Sequence, residues 1–138
     1  MSVLNETARQ LIESGAPAHF VTLGKGGSPQ MSMVWVGLDG DEIVMAHLEE
    51  YQKVRNIRRD PRVALSLATG RLNAVGMEEH LIVYGTACIT EGGAPELLQR
   101  LAYTYVSPDV VFPPMDDPPR GYITRITPER VSGMGDWR

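Results

Sequence analysis

The stretch Glu50-Tyr51-Gln52-Lys53-Val54-Arg55-Asn56-Ile57-Arg58-Arg59-Asp60-Pro61-Arg62 carries the densest chemistry in the chain. Four arginines and one lysine fall within it, in a protein whose formal net charge is −4. Tyr51, Val54, Ile57 and Arg58 share one face of a helical wheel, and Asp60-Pro61 stops the helix because the residue before proline is pushed out of the helical region. A helix that starts here points free backbone N–H groups and a favourable dipole at whatever lies beside residues 50 to 53. A lysine in that first turn, with an arginine two residues on, makes an anion site of the kind that holds a phosphate. The same run also reads as a solvated basic helix face with surface ion pairs of little energetic weight. Spacing alone leaves both readings open.

Other reactive side chains do not assemble into a recognisable motif. His19, His47 and His80 fall on three different predicted strands, without His-x-x-x-His, paired cysteines or clustered acids, so no metal site is expected. Gly24-Lys25-Gly26-Gly27 lacks the spacing of a phosphate loop and reads as a hairpin turn. Neither a Gly-x-Ser-x-Gly nucleophile elbow nor a Gly-x-Gly-x-x-Gly opening a helix occurs. The adjacent pairs Glu78-Glu79 and Asp116-Asp117 point opposite ways if extended and read as solvating residues. Cys88 is the single cysteine, so no intrachain disulfide can form; it is expected as a buried, inert thiol in a reducing compartment.

The elements that must position these residues are short and mostly antiparallel. Leu4, Ala8, Leu11 and Ile12 recur at helical spacing before Gly15. Ala18–Leu23, Pro29–Leu38 and Ile43–His47 form a meander over two turn clusters. The basic helix follows, then strands at Arg62–Leu67 and Glu79–Glu91, with Gly85 where a barrel strand bends. A helix from Ala94 to about Val106 presents Leu97, Leu98, Leu101, Ala102 and Tyr105. Residues 107–120 hold five prolines and read as a loop, and Tyr122–Val131 is the last strand. Three consecutive strands exclude a doubly wound parallel sheet and favour an antiparallel barrel with helices at its openings.

The chain has 138 residues, 43% of them hydrophobic, which predicts one domain whose burial is completed by dimerisation. Its acidity argues against nucleic acid as a partner. No run of 18 or more apolar residues suggests a membrane helix, and the first residues do not read as a secretion signal, so a cytoplasmic protein is expected.

The order of a meander, then Lys-Val-Arg-Asn-Ile-Arg-Arg-Asp-Pro-Arg-Val-Ala-Leu from residue 53, then a long strand with Tyr84-Gly85-Thr86-Ala87, resembles the pyridoxamine 5′-phosphate oxidase-like superfamily. Within it the sequence is most similar to the F420-dependent oxidoreductases of actinobacteria, the B group of flavin/deazaflavin oxidoreductases. The resemblance implies a mainly β fold with flanking helices, a six-stranded antiparallel split β-barrel, and a homodimer. It implies coenzyme F420, with FMN as the alternative, and hydride transfer to a small conjugated or quinone-like substrate. A non-catalytic F420 carrier would fit equally well, since no side chain need act as a nucleophile.

Residue by residue, the resemblance places the cofactor phosphate at Lys53 and Val54, with Arg55 and Asn56 beside them. Gln30, Ser32 and Val34 share the strand face that would contact the ring. The opposite face holds Met31, Met33 and Trp35, with Trp35 expected in the core or dimer interface rather than stacked on the ring. His47, just before the phosphate helix, and His80, which relatives sometimes present from the partner subunit, are either cofactor contacts or ordinary hydrogen-bonded histidines. Trp137 either belongs to a free tail or packs near the cleft or the partner chain. One departure stands out: relatives often carry an arginine two residues before the lysine, where this chain has Tyr51.

Overall fold

The computed structural model describes residues 3–138. Helix α1 (Glu6–Ile12) is capped by Asn5, whose side chain accepts from the Ala8 amide at 2.8 Å. Its apolar stripe, Ala8, Leu11 and Ile12, is buried. Strands β1 (Ala18–Leu23) and β2 (Pro29–Val34) form a hairpin, followed by β3 (Gly37–Asp39) and β4 (Glu42–His47). Helix α2 (Gln52–Arg59) precedes the long strands β5 (Arg62–Leu72) and β6 (Glu78–Glu91). Helix α3 (Ala94–Tyr105) and strand β7 (Tyr122–Met134) complete the order.

All strands pair antiparallel in one sheet of order β2-β1-β5-β6-β7-β4-β3. Its two edge strands, β2 and β3, are consecutive in the chain. Val34 and Gly37 are three residues apart, so their Cα atoms lie within about 11 Å. The sheet must therefore curl until its edges nearly meet, and the gap left between them is the split of the barrel. Period-two alternation fills the inside: Phe20, Val63, Leu65, Leu67, Leu81, Val83 and Ile126 are all buried in one core cluster. Helix α2 rests on β1 and β6, α3 on β4, and α1 on β3 and β5.

The split explains a difference from the sequence reading. Pro29–Leu38 was expected as one strand of six; it is two strands of seven, broken at Trp35-Val36. The Trp35 indole leaves the sheet to stack on Tyr105 at 5.3 Å and 15°. The Val36 N–H, freed from any ladder, donates to Tyr105 Oη at 3.0 Å, and that hydroxyl donates in turn to the Ala16 carbonyl at 2.9 Å. A single phenol thus satisfies the backbone at the break.

Cys88 also differs from expectation. It is exposed, because Leu81, Val83 and Ala87 face the core and alternation sends the even-numbered residue outward, opposite Arg125. Gly85 does mark a bend. The β6–β7 register shifts between Tyr84 and Gly85, and a Cβ at Gly85 would collide with the Thr127 carbonyl oxygen.

Candidate functional site

Asn56 explains where the start of α2 sits. Its side chain is fully buried, and both ends are occupied. Nδ2 donates to Thr22 Oγ1 of β1 at 3.0 Å and to Gln30 Oε1 of β2 at 2.8 Å. Oδ1 accepts from Gln52 at 2.8 Å and Arg59 at 3.1 Å. One amide therefore spends its full hydrogen-bonding capacity tying the helix to two strands. Val54 and Ile57, also buried, clamp the same face.

That anchoring leaves the helix N-terminus open. Tyr51 is the N-cap residue but makes no side-chain cap bond. The Val54 and Arg55 amides turn back onto the Tyr51 carbonyl at 3.0 and 3.3 Å. Among the described residues no acceptor bonds the Gln52 or Lys53 amide, which leaves two donors facing out. Lys53 extends beside them and donates to Ser32 Oγ of β2 at 3.3 Å. No carboxylate among the described residues pairs with it. Burial holds its ammonium pKa below the ordinary lysine value. A half-buried, unpaired cation beside two free amides is built to receive an anion.

A cavity of about 240 Å³ opens next to it. It is lined by Lys53, Tyr51, His47 and Ala46, by Met33, Val34 and Trp35 of the barrel split, and by Leu98 and Phe112. His47 is buried and shares a 2.8 Å hydrogen bond with Thr124 Oγ1 of β7. Burial, and secondarily the Lys53 charge, lower its pKa to about 4, so the imidazole is neutral at physiological pH. The Tyr51 ring meets His47 edge-on at 6.4 Å and lies 5.8 Å below the Lys53 ammonium.

The structure thus brings together Ser32, Val34, His47, Tyr51 and Lys53, with Gln30 joined to them through Asn56. It sets others apart. The Val54 side chain is in the interior, and its amide, expected at the phosphate, is already bonded; the free amides belong to Gln52 and Lys53. Asn56 lies behind the site, holding the helix. Arg55 folds over the exposed helix start, donating to the Glu50 carbonyl at 2.7 Å and to Gln52 at 2.9 Å. Trp137 is buried and donates to the His80 carbonyl at 2.8 Å, so it is no free tail. His80 pairs with Ala68 far along β5, whereas β1 meets β5 at Ala64 to Ser66 and carries Thr22 the other way. Within one chain these two residues stand apart from Lys53.

The bland reading holds for much of the basic run. Arg58 bridges Glu50 at 3.0 Å and Glu91 at 3.6 Å, and Arg62 grips Asp60 at 2.7 Å. The Arg62 hydrogen bonds hold the Asp60 carboxyl down to about 2. Sequence reasoning missed Phe112 and Thr124, which carry no local signal, and it placed Trp35 and Leu98 only as packing residues.

The model of the pyridoxamine 5′-phosphate oxidase family matches residues 4–135. The chain belongs to that family. Among solved structures it is similar to an F420 reductase, with 25% identity, a TM-score of 0.72, and coverage of 94% of this chain and 98% of that one. A conserved hypothetical protein from Mycobacterium tuberculosis matches at 23% identity and a TM-score of 0.71, covering 95% of this chain and 84% of the other. An FMN-binding protein from Syntrophomonas wolfei shares the fold at 12% identity and a TM-score of 0.69, covering 99% and 88%. No curated protein matches the chain in sequence. Family members thus include oxidoreductases, and the open seven-stranded sheet is this family's split barrel.

Proposed function

We propose that this protein is a single-domain, cytoplasmic, homodimeric F420-dependent oxidoreductase acting on a small conjugated or quinone-like molecule. The observation that carries the reading is Lys53, half-buried and without a carboxylate partner beside the free Gln52 and Lys53 amides. These groups fit a cofactor phosphate. At the phosphate alone, the charge count suits F420, whose acidic lactyl-oligoglutamate tail lies outside that count. A phosphodiester such as that of F420 carries one negative charge, while a terminal phosphate carries about −1.5 to −2 at neutral pH. One half-buried cation and two amides match that single phosphate charge, while Tyr51, where relatives often place arginine, adds no cation for the rest of the cofactor. The similarity to an F420 reductase supports the same choice.

When bound, the reduced deazaflavin supplies a hydride. The chain's own residues then have distinct tasks. Lys53 would hold the phosphate, and the Gln30, Ser32 and Val34 face of β2 would contact the ring. Asn56 holds that strand and the anchoring helix in fixed relation. His47, kept neutral and oriented by Thr124, lines the wall without adding a second positive charge. The homodimer is supported by the outer sheet face, where Met31, Val21, Ala64 and Tyr84 stand across one another in register and Met31 is 65% exposed. His80, remote from Lys53 within one chain, is assigned to the partner's site across that face, while Trp137, buried in the core cluster, holds the His80 carbonyl from within.

The test is steady-state oxidation of reduced F420 with a panel of quinones and enoates. Turnover with at least one acceptor is expected. Tight F420 binding with no turnover would make the protein a carrier, and a flavin spectrum in the purified protein would replace F420 by FMN.

A further inference from the structure

We propose that the cavity beside Lys53 binds a small neutral planar ring system, held against the corner that Trp35 and Phe112 form, and that Gln99 is the residue that positions Phe112. This rests on reading the site as one for hydride transfer, since the pocket adjoins the strand face assigned to the cofactor ring. The Trp35 indole is anchored on Tyr105, whose hydroxyl is tied to Val36 and Ala16. Phe112 meets it at 5.2 Å and 53°, so the two rings form a corner rather than a closed stack.

Phe112 belongs to the segment joining α3 to β7, which has no regular structure. A ring on such a segment would ordinarily move. Here Gln99 of α3 acts as a strut. Its Nε2 donates to the Val110 carbonyl at 2.9 Å, and its Oε1 accepts from the Phe112 N–H at 2.9 Å. One side-chain amide thus fixes the backbone on both sides of Val111, which pre-organises the aromatic wall.

The chemistry of the lining chooses the ligand. No carboxylate borders the cavity and His47 is uncharged; on the proposed reading, Lys53 is taken up by the cofactor phosphate. The remaining surface is aromatic and aliphatic. A volume of about 240 Å³ lies below the ~300–1,000 Å³ typical of drug-sized ligands, so one or two fused rings fit.

Menadione, a neutral two-ring quinone, is the probe. The chain has two tryptophans, and a Trp137→Phe variant leaves Trp35 as the only reporter. Menadione should quench it saturably. Phe112→Ala should weaken binding at least tenfold and Gln99→Ala about three- to tenfold, each in a variant that still unfolds cooperatively. Gln99→Glu keeps the acceptor for Phe112 but loses the donor to Val110, and should fall between Gln99→Ala and the parent. Equilibrium dialysis with saturating F420 separates the two readings. Menadione bound equally with and without F420 supports the pocket. Menadione displaced by F420 means the cavity holds the cofactor ring, which overturns this proposal but not the F420 assignment. Retained menadione binding in a protein that never binds F420 would sink the cofactor reading alone. Linear, unsaturable quenching, or affinity untouched by Phe112→Ala and Gln99→Ala, would overturn the pocket.

Discussion

Replacing Asn56 with alanine should damage stability first and cofactor binding only as a consequence. The substitution cuts four hydrogen bonds at once. Gln52 and Arg59 are exposed and recover their bonds from water, at little cost. Thr22 is 1% exposed, and stranding its hydroxyl costs about 1–3 kcal/mol. The half-buried Gln30 carbonyl adds about 1 kcal/mol. The sum is roughly 2–4 kcal/mol, which for a chain of this size lowers the unfolding temperature by roughly 6–15 °C. Differential scanning calorimetry of the protein without cofactor reads that number directly. A double-mutant cycle with Gln30→Ala should show coupling, because the two share a bond. A drop below about 2 °C, with F420 binding abolished, would show that Asn56 is a ligand and not the node that fixes α2.

Two further perturbations address the charges at the site. Tyr51→Arg adds a second cation beside Lys53 and should strengthen FMN binding about tenfold, with a smaller gain for F420; parallel fluorescence titrations compare the two, and equal gains would refute the charge count. His47 has a folded-state pKa of about 4 against an ordinary 6.5, so the unfolded chain binds the extra proton between those values. Its contribution is fully present above about pH 6.5, declines as pH falls towards 4, and is gone below, a loss of roughly 3 kcal/mol. Urea unfolding at a series of pH values should show this slope in the parent and its absence in His47→Gln; identical slopes would contradict the neutral buried imidazole.

The strands were legible because each buries one face. Phe20, Leu65, Leu67, Leu81 and Val83 announce themselves by alternation. Lys53 was legible because a cation in the first turn of a helix has a physical consequence that needs no tertiary knowledge. Asn56 was not: nothing local says that a polar residue amid arginines points inward to Thr22 and Gln30, 34 and 26 residues away. The break at Trp35 was equally hidden, since its cause, the Tyr105 hydroxyl, lies 69 residues from Val36. Cys88 was a different kind of miss. The alternation that buries Ala87 already sends its neighbour outward, and that local pattern outweighs the general tendency of thiols to be buried.

The most direct test of the central claim is a titration of F420 and FMN into the parent protein and Lys53→Met. The parent should bind F420 more tightly than FMN. The substitution should weaken F420 binding about ten- to a hundredfold, the loss of one charge-assisted contact worth roughly 1.5–3 kcal/mol. It should leave the unfolding temperature unchanged or raised, since a half-buried unpaired charge has been removed. F420 affinity that survives the loss of Lys53 would contradict the account.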